Sequence, residues 1–138
     1  MAAVLLVFAS QGHAASRSAV TPNSAVTTNE AVWNLHAGLN VASLSCKGQH
    51  QVTGAYNAMI ARHAALIAAA LRGERRRYGP AGFDNHQTAL YNRFANQRLP
   101  ASFCNIAASV ADRAIAMDSL GLAPAAAGLL VELEASLR

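Results

Sequence analysis

The chain has 138 residues, of which 53% are hydrophobic, only 13% are charged and 6% are aromatic, and it carries a formal net charge of +4. That length suits one domain with one core, and so few charges, with no recognised nucleic-acid module and few aromatics, exclude a nucleic-acid-binding stripe. The positive charge is almost all arginine, Lys47 being the only lysine. Such an excess favours solubility and suits anionic neighbours: a lipid head group, an envelope polysaccharide or an acidic protein. About a quarter of the residues are alanine. Alanine buries little area but lets helix backbones come close, so tightly spaced helices around a modest core are expected.

The apolar run over 1–9, followed by Gly12 and Ala14 as small residues, has the form of an export signal over 1–14. No basic residue precedes the run, so the signal reads as truncated at its start. Nine apolar residues are too few to cross a bilayer, which needs about twenty. Export places Cys46 and Cys104, the only two cysteines, in a periplasmic or extracellular compartment where a disulfide persists. The segment 15–27, rich in Ser, Thr, Asn and Pro, reads as a flexible arm, and 28–138 as a single helical domain.

The first helix is expected over 28–46. Thr27 and Glu30 have capping-box spacing, and Lys47-Gly48 supplies a stop. Val32, Leu35, Leu39, Ala42 and Cys46 form one apolar stripe and Trp33, Ala37, Val41 and Leu44 a second, which makes this helix the central one. A second helix is expected from Thr53 to Arg77, before Gly79-Pro80. A third starts at a capping box formed by Asp84 and Gln87, with Leu90, Tyr91 and Phe94 inward. Pro100 ends it, Ser102 caps a fourth helix carrying Phe103, Val110 and Ala114, and Gly121 closes that one. Pro124 then opens a last helix with Leu129, Leu130, Leu133 and Leu137 on one face. The expected fold is an all-α, up-and-down bundle of four main helices plus a C-terminal one.

A Cys46–Cys104 disulfide would tie the end of the first helix to the start of the fourth; two buried free thiols are the alternative. No C-x-x-C or paired Cys/His spacing suggests a metal, and no cofactor motif is present. His36, Asn40 and Ser43 form a polar stripe between the apolar stripes of the first helix, a candidate pocket wall. His63, among Met59, Leu66 and Ile67, reads as a hydrogen-bonded, semi-buried histidine. Tyr56-Asn57 and Tyr91-Asn92 repeat one local pattern, tyrosine on the apolar face with an amide beside it. Asparagine is a poor helix former, so Asn57 and Asn92 are expected to bridge helices in a buried polar network or to line a pocket with the tyrosines. Arg72, Arg75, Arg76 and Arg77 cluster at a helix C-terminal end, where they complement the dipole and form a candidate anion patch.

The stretch Val32-Trp-Asn-Leu-His-Ala-Gly-Leu-Asn-Val-Ala-Ser-Leu-Ser-Cys46, with Tyr56-Asn57, Tyr91-Asn-Arg-Phe94 and Phe103-Cys104, resembles a group of small exported bacterial helical proteins with two cysteines. That resemblance implies an exported, disulfide-linked helical protein and no assigned activity. Two functions are expected from the residues. The first is a non-catalytic envelope protein that binds a protein or anionic partner, with no transmembrane segment in the mature chain. The second is a small-molecule binder or enzyme using His36, Asn40, Tyr56 and Tyr91.

Overall fold

A computed structural model describes residues 26–48, 50–95 and 98–138. The export signal expected over 1–14, and the arm up to residue 25, lie outside the described residues. Within them the fold is all-α, with no strand, in the order α1 (Thr28–Ser45), α2 (His50–Arg62), α3 (Ala64–Ala95), α4 (Ala101–Ala116) and α5 (Ser119–Ala135). None of these helices is long and apolar enough to cross a membrane.

Helix α1 begins where its cap chemistry demands. Thr27 is extended, and its hydroxyl accepts from the Glu30 backbone N–H at 3.1 Å, satisfying one of the donors that a helix start leaves open. The other half of the capping box does not form, because the Glu30 carboxylate pairs with Arg77 on α3 instead. The helix ends at Cys46, with Gly48 in the left-handed region at φ 86°.

Both expected stripes of α1 are covered, and the helix packs against all four others, chiefly α3 and α5, while α2 lies on α4. Leu44 is the exception: at 68% exposed it lies beyond the reach of any neighbour near the helix end. Ala31, Ala37, Ala42 and Gly38 let the partners come close. A Cβ at Gly38 would sit 2.8 Å from both Leu133 Cδ2 and Phe94 Cζ, so α1, α3 and α5 meet at van der Waals contact only because this side chain is absent.

The second expected helix is two. A single turn residue, His63, separates α2 from α3, and the bonds from His63 N to Met59 O and from Ile67 N to His63 O carry the ladder across it. His63 is fully buried. Its Nε2 lies 2.7 Å from the Ala114 carbonyl and its Nδ1 2.9 Å from Ser119 Oγ. A carbonyl only accepts, so Nε2 carries a proton and donates. Next to it, Arg62 Nε donates to Met117 O at 2.8 Å. The two residues at the α2–α3 junction thus satisfy open carbonyls at the end of α4 and grip the start of α5.

Gly79 breaks α3 into 64–78 and 80–95. Its φ of 69° and ψ of 174° lie in a region that only glycine enters readily. The chain therefore turns where Gly79-Pro80 was expected to stop it, but the next helical segment starts at Pro80, not at the Asp84 box. Proline's fixed φ suits a first helical turn and it has no N–H to leave open. Replacing Gly79 by alanine is expected to cost about 1–3 kcal/mol, read as a lower urea midpoint with an unchanged slope.

Two further boundaries differ from expectation. Helix α4 starts after Pro100 without a side-chain cap, and Ser102 is exposed in its first turn. It ends at Ala116, because Asp118 caps α5 by accepting from the Gly121 N–H at 2.7 Å. Gly121 is thus inside the first turn of α5, and Pro124 sits in its second turn.

The sulfurs of Cys46 and Cys104 are bonded, with a Cα–Cα distance of 5.7 Å. The link joins the end of α1 to the first turn of α4, as the sequence led us to expect.

Candidate functional site

The polar stripe of α1 faces α2 and α3. The Tyr56 hydroxyl lies 3.4 Å from His36 Nδ1, and the Tyr91 hydroxyl accepts from Asn40 Nδ2 at 3.3 Å. Four of the expected pocket residues thus converge on one seam. One turn earlier, Trp33 Nε1 donates to Gln87 Oε1 at 3.0 Å. Rings run along the same seam: Phe83 is 6.3 Å from Trp33, Trp33 is 4.9 Å from His36, and His36 stacks on Tyr56 at 5.8 Å. These separations lie in the range in which aromatic rings attract beyond their burial.

Burial sets the protonation of this seam. It holds the His36 imidazole below the usual histidine range, which keeps the ring neutral at neutral pH. It also pushes the Tyr56 phenol from 10.0 up to about 12, with the neighbouring Tyr91 adding to the effect. For an acid whose folded-state pKa is raised, the stabilisation is complete below the unfolded value and is lost as pH climbs to the folded value. Between about pH 10 and pH 12 the protein should therefore lose stability, and ultraviolet titration of the phenolates should show one tyrosine ionising near 12 in the folded state. Tyr56→Phe should remove that late step.

The seam is closed. The cavity beside His36, bounded by Val32, Leu35, Met59, Ile67 and Leu122, measures about 10 Å³. That is at the lower limit for one water molecule, and its walls are hydrocarbon apart from the imidazole. Asn57 and Asn92 do not join the seam or form a buried network, because both are exposed. Each follows its tyrosine by one residue, about 100° around the helix, so a tyrosine turned inward leaves the amide facing water. Among the described residues the buried asparagine is Asn34, 6% exposed.

The arginine cluster divides. Arg77 is held by Glu30 and lies over the Tyr78 ring, and Arg75 lies over Phe83 at 5.6 Å. Arg72, Arg75 and Arg76 present their charge on the exposed face of α3.

Residues not singled out from the sequence make a second polar region. Glu74, 1% exposed, lies behind His86, with Oε2 3.9 Å from His86 Nε2. His86 stacks on Tyr78 at 4.2 Å. Both titrating groups are moved by burial: the Glu74 carboxyl upward, reinforced by Glu30 and opposed by Arg77, and the His86 imidazole downward. The sequence did hold a signal for Glu74. Ile67, Ala70 and Glu74 recur at three and four residue steps, which puts the carboxyl on the inward face despite its setting among arginines.

No group of three or more His, Cys, Asp or Glu side chains among the described residues could hold a metal ion. In comparisons with known proteins, no family model, curated protein or solved structure matches the chain. The functional reading therefore rests on this geometry.

Proposed function

We propose that the protein is an exported, non-catalytic helical-bundle module of the cell envelope that recognises an anionic partner through its surface. The observation that carries this reading is the contrast between seam and surface. The polar atoms of His36, Asn40, Tyr56 and Tyr91 are engaged with one another, whereas Arg72, Arg75 and Arg76 stand in solvent on one stretch of α3. Three guanidiniums on adjacent turns suit phosphate or carboxylate groups, which they engage through paired N–H donors. The Cys46–Cys104 bond and the absence of a membrane-crossing helix among the described residues are compatible with export.

Co-sedimentation with vesicles containing phosphatidylglycerol, against vesicles of phosphatidylcholine alone, tests the surface. Binding to the anionic vesicles should weaken with added salt and should fall at least tenfold in a variant carrying Arg72→Gln, Arg75→Gln and Arg76→Gln. Arg77 is left in place because Glu30 already engages it. Equal binding by the variant and the parent would reject the arginine surface. Export is tested separately by mass spectrometry of the chain from its native cells. An unprocessed chain with both thiols open to alkylation would reject it.

A further inference from the structure

Helix α5 has no polar outward face. Its inner side, with Leu122, Leu129, Leu130 and Leu133, is buried against the bundle, yet every exposed residue of the helix is apolar too: Leu120, Pro124, Ala127, Gly128, Val131 and Ala135. Their spacing places them on one outward strip about 22 Å long. Leu120 is 87% and Val131 65% exposed, two of the four large hydrophobic residues left exposed among the described residues. The outward face of α4 shows what contact with water ordinarily selects, with Ser102, Asn105, Ser109, Asp112 and Arg113 exposed. A helix without a polar face is normally buried all round, so the strip on α5 has the character of an interface.

The edges of the strip point to what covers it. Glu132 and Glu134 flank Val131 on its two sides and pair with Arg113 and Arg93, whereas the corresponding edges of the N-terminal half are Ala123 and Gly121. Helices that lie in anionic bilayers carry Lys or Arg beside the apolar face, and these edges are acidic. A second copy fits in one orientation. With two α5 helices antiparallel and a two-fold axis passing between Ala127 and Gly128, Leu120 of one copy meets Ala135 of the other and Val131 meets Pro124. Large side chains then oppose smaller ones, and the two smallest residues meet at the centre, where the backbones come closest. Glu132 and Glu134 lie beside Ala123 and Gly121, and Asp118 and Arg138, both exposed, come within one residue of each other at both ends. Parallel copies would set leucine on leucine and carboxylate beside carboxylate.

We propose that the outward face of α5 binds a second copy of this chain as an antiparallel, two-fold pair. A strip one helix wide buries less than the roughly 800 Å² per partner of a standard interface, so the pair should dissociate in the micromolar range. This surface is on a different helix from the arginines of α3 and does not depend on the anionic reading.

Sedimentation equilibrium of the whole protein, disulfide intact, from about 5 µM to about 500 µM tests this. A monomer–dimer equilibrium is expected, and Leu120→Glu together with Val131→Glu should weaken it at least about tenfold. Both side chains are exposed, so the double variant should melt as the parent does at concentrations where both are monomeric. Orientation is read by mixing two further variants, Pro124→Cys and Val131→Cys, under mild oxidation. The mixed disulfide should form in preference to either self-linked one, because like positions in antiparallel copies are about 10 Å apart along the axis. A parent that stays monomeric throughout, a dimer that the double variant retains, or preferred self-linked disulfides would overturn the proposal. The same holds for a monomeric parent that binds phosphatidylcholine vesicles where the double variant does not, which would assign the strip to lipid.

Discussion

Replacing Cys46 and Cys104 together by alanine is expected to lower the stability of the fold by about 4 kcal/mol, the value that loop-closure entropy assigns to a link across 58 residues. For a domain of this size that corresponds to a fall in melting temperature of roughly 15 °C. The link acts by restricting the unfolded chain, so the loss does not depend on how tightly these two ends pack in the native fold. About a third of the buried hydrophobic residues are alanine, each burying little area, and α1 touches α4 over only a short stretch, so the core leaves little stability in reserve. Both cysteines are themselves buried, so some packing is lost as well. Urea unfolding of the oxidised parent, the reduced parent and the double variant checks it. The last two should unfold at similar midpoints, well below the first, and reductant should not shift the double variant. A reduced parent as stable as the oxidised one would show that the bond adds nothing to the fold.

Phe94→Ala is expected to cost about 3–5 kcal/mol, as truncation of a fully buried ring does. Phe94 fills the space against α1 where Gly38 has no side chain, and its Cζ and Cε1 are two of the three atoms that a Cβ at Gly38 would strike. In the parent, Gly38→Ala should therefore destabilise by about 1–2 kcal/mol, the overpacking cost exceeding the gain in helix propensity. With the ring removed, the same alanine enters part of the vacated volume and should recover stability. The pair is thus expected to couple by more than about 1 kcal/mol in a double-mutant cycle, far above what independent sites show. Additive effects would mean that the ring and the glycine do not share the α1–α3–α5 contact.

The seam and the Glu74–His86 pair differ in how legible they were. His36 and Asn40 are one turn apart on α1, and Tyr56 and Tyr91 each sit on an apolar stripe, so local periodicity already placed all four on inward faces. Their meeting required only that α2 and α3 flank α1. Asn57 and Asn92 were misplaced because the tyrosine beside each decides which way the helix is turned. Glu74 and His86 were overlooked for a different reason. Glu74 sits among arginines and His86 between the two residues of a capping box, neither was singled out, and their meeting depends on a turn at Gly79 whose direction no short window records.

The chain's local rules determined the all-α class, the capped start and glycine stop of α1, the two buried stripes that make it central, and the pairing of the only two cysteines. Those features depend on contacts within about four residues, or on a partner with no competitor. The tertiary structure alone decided where the chain bends and which polar groups lose water. His63 loses its water because the ends of α4 and α5 offer its ring two partners, and Glu74 and His86 come together only once α3 has folded back at Gly79. Their burial depends on neighbours more than forty residues away, and for that reason periodicity could assign a face but not what covers it.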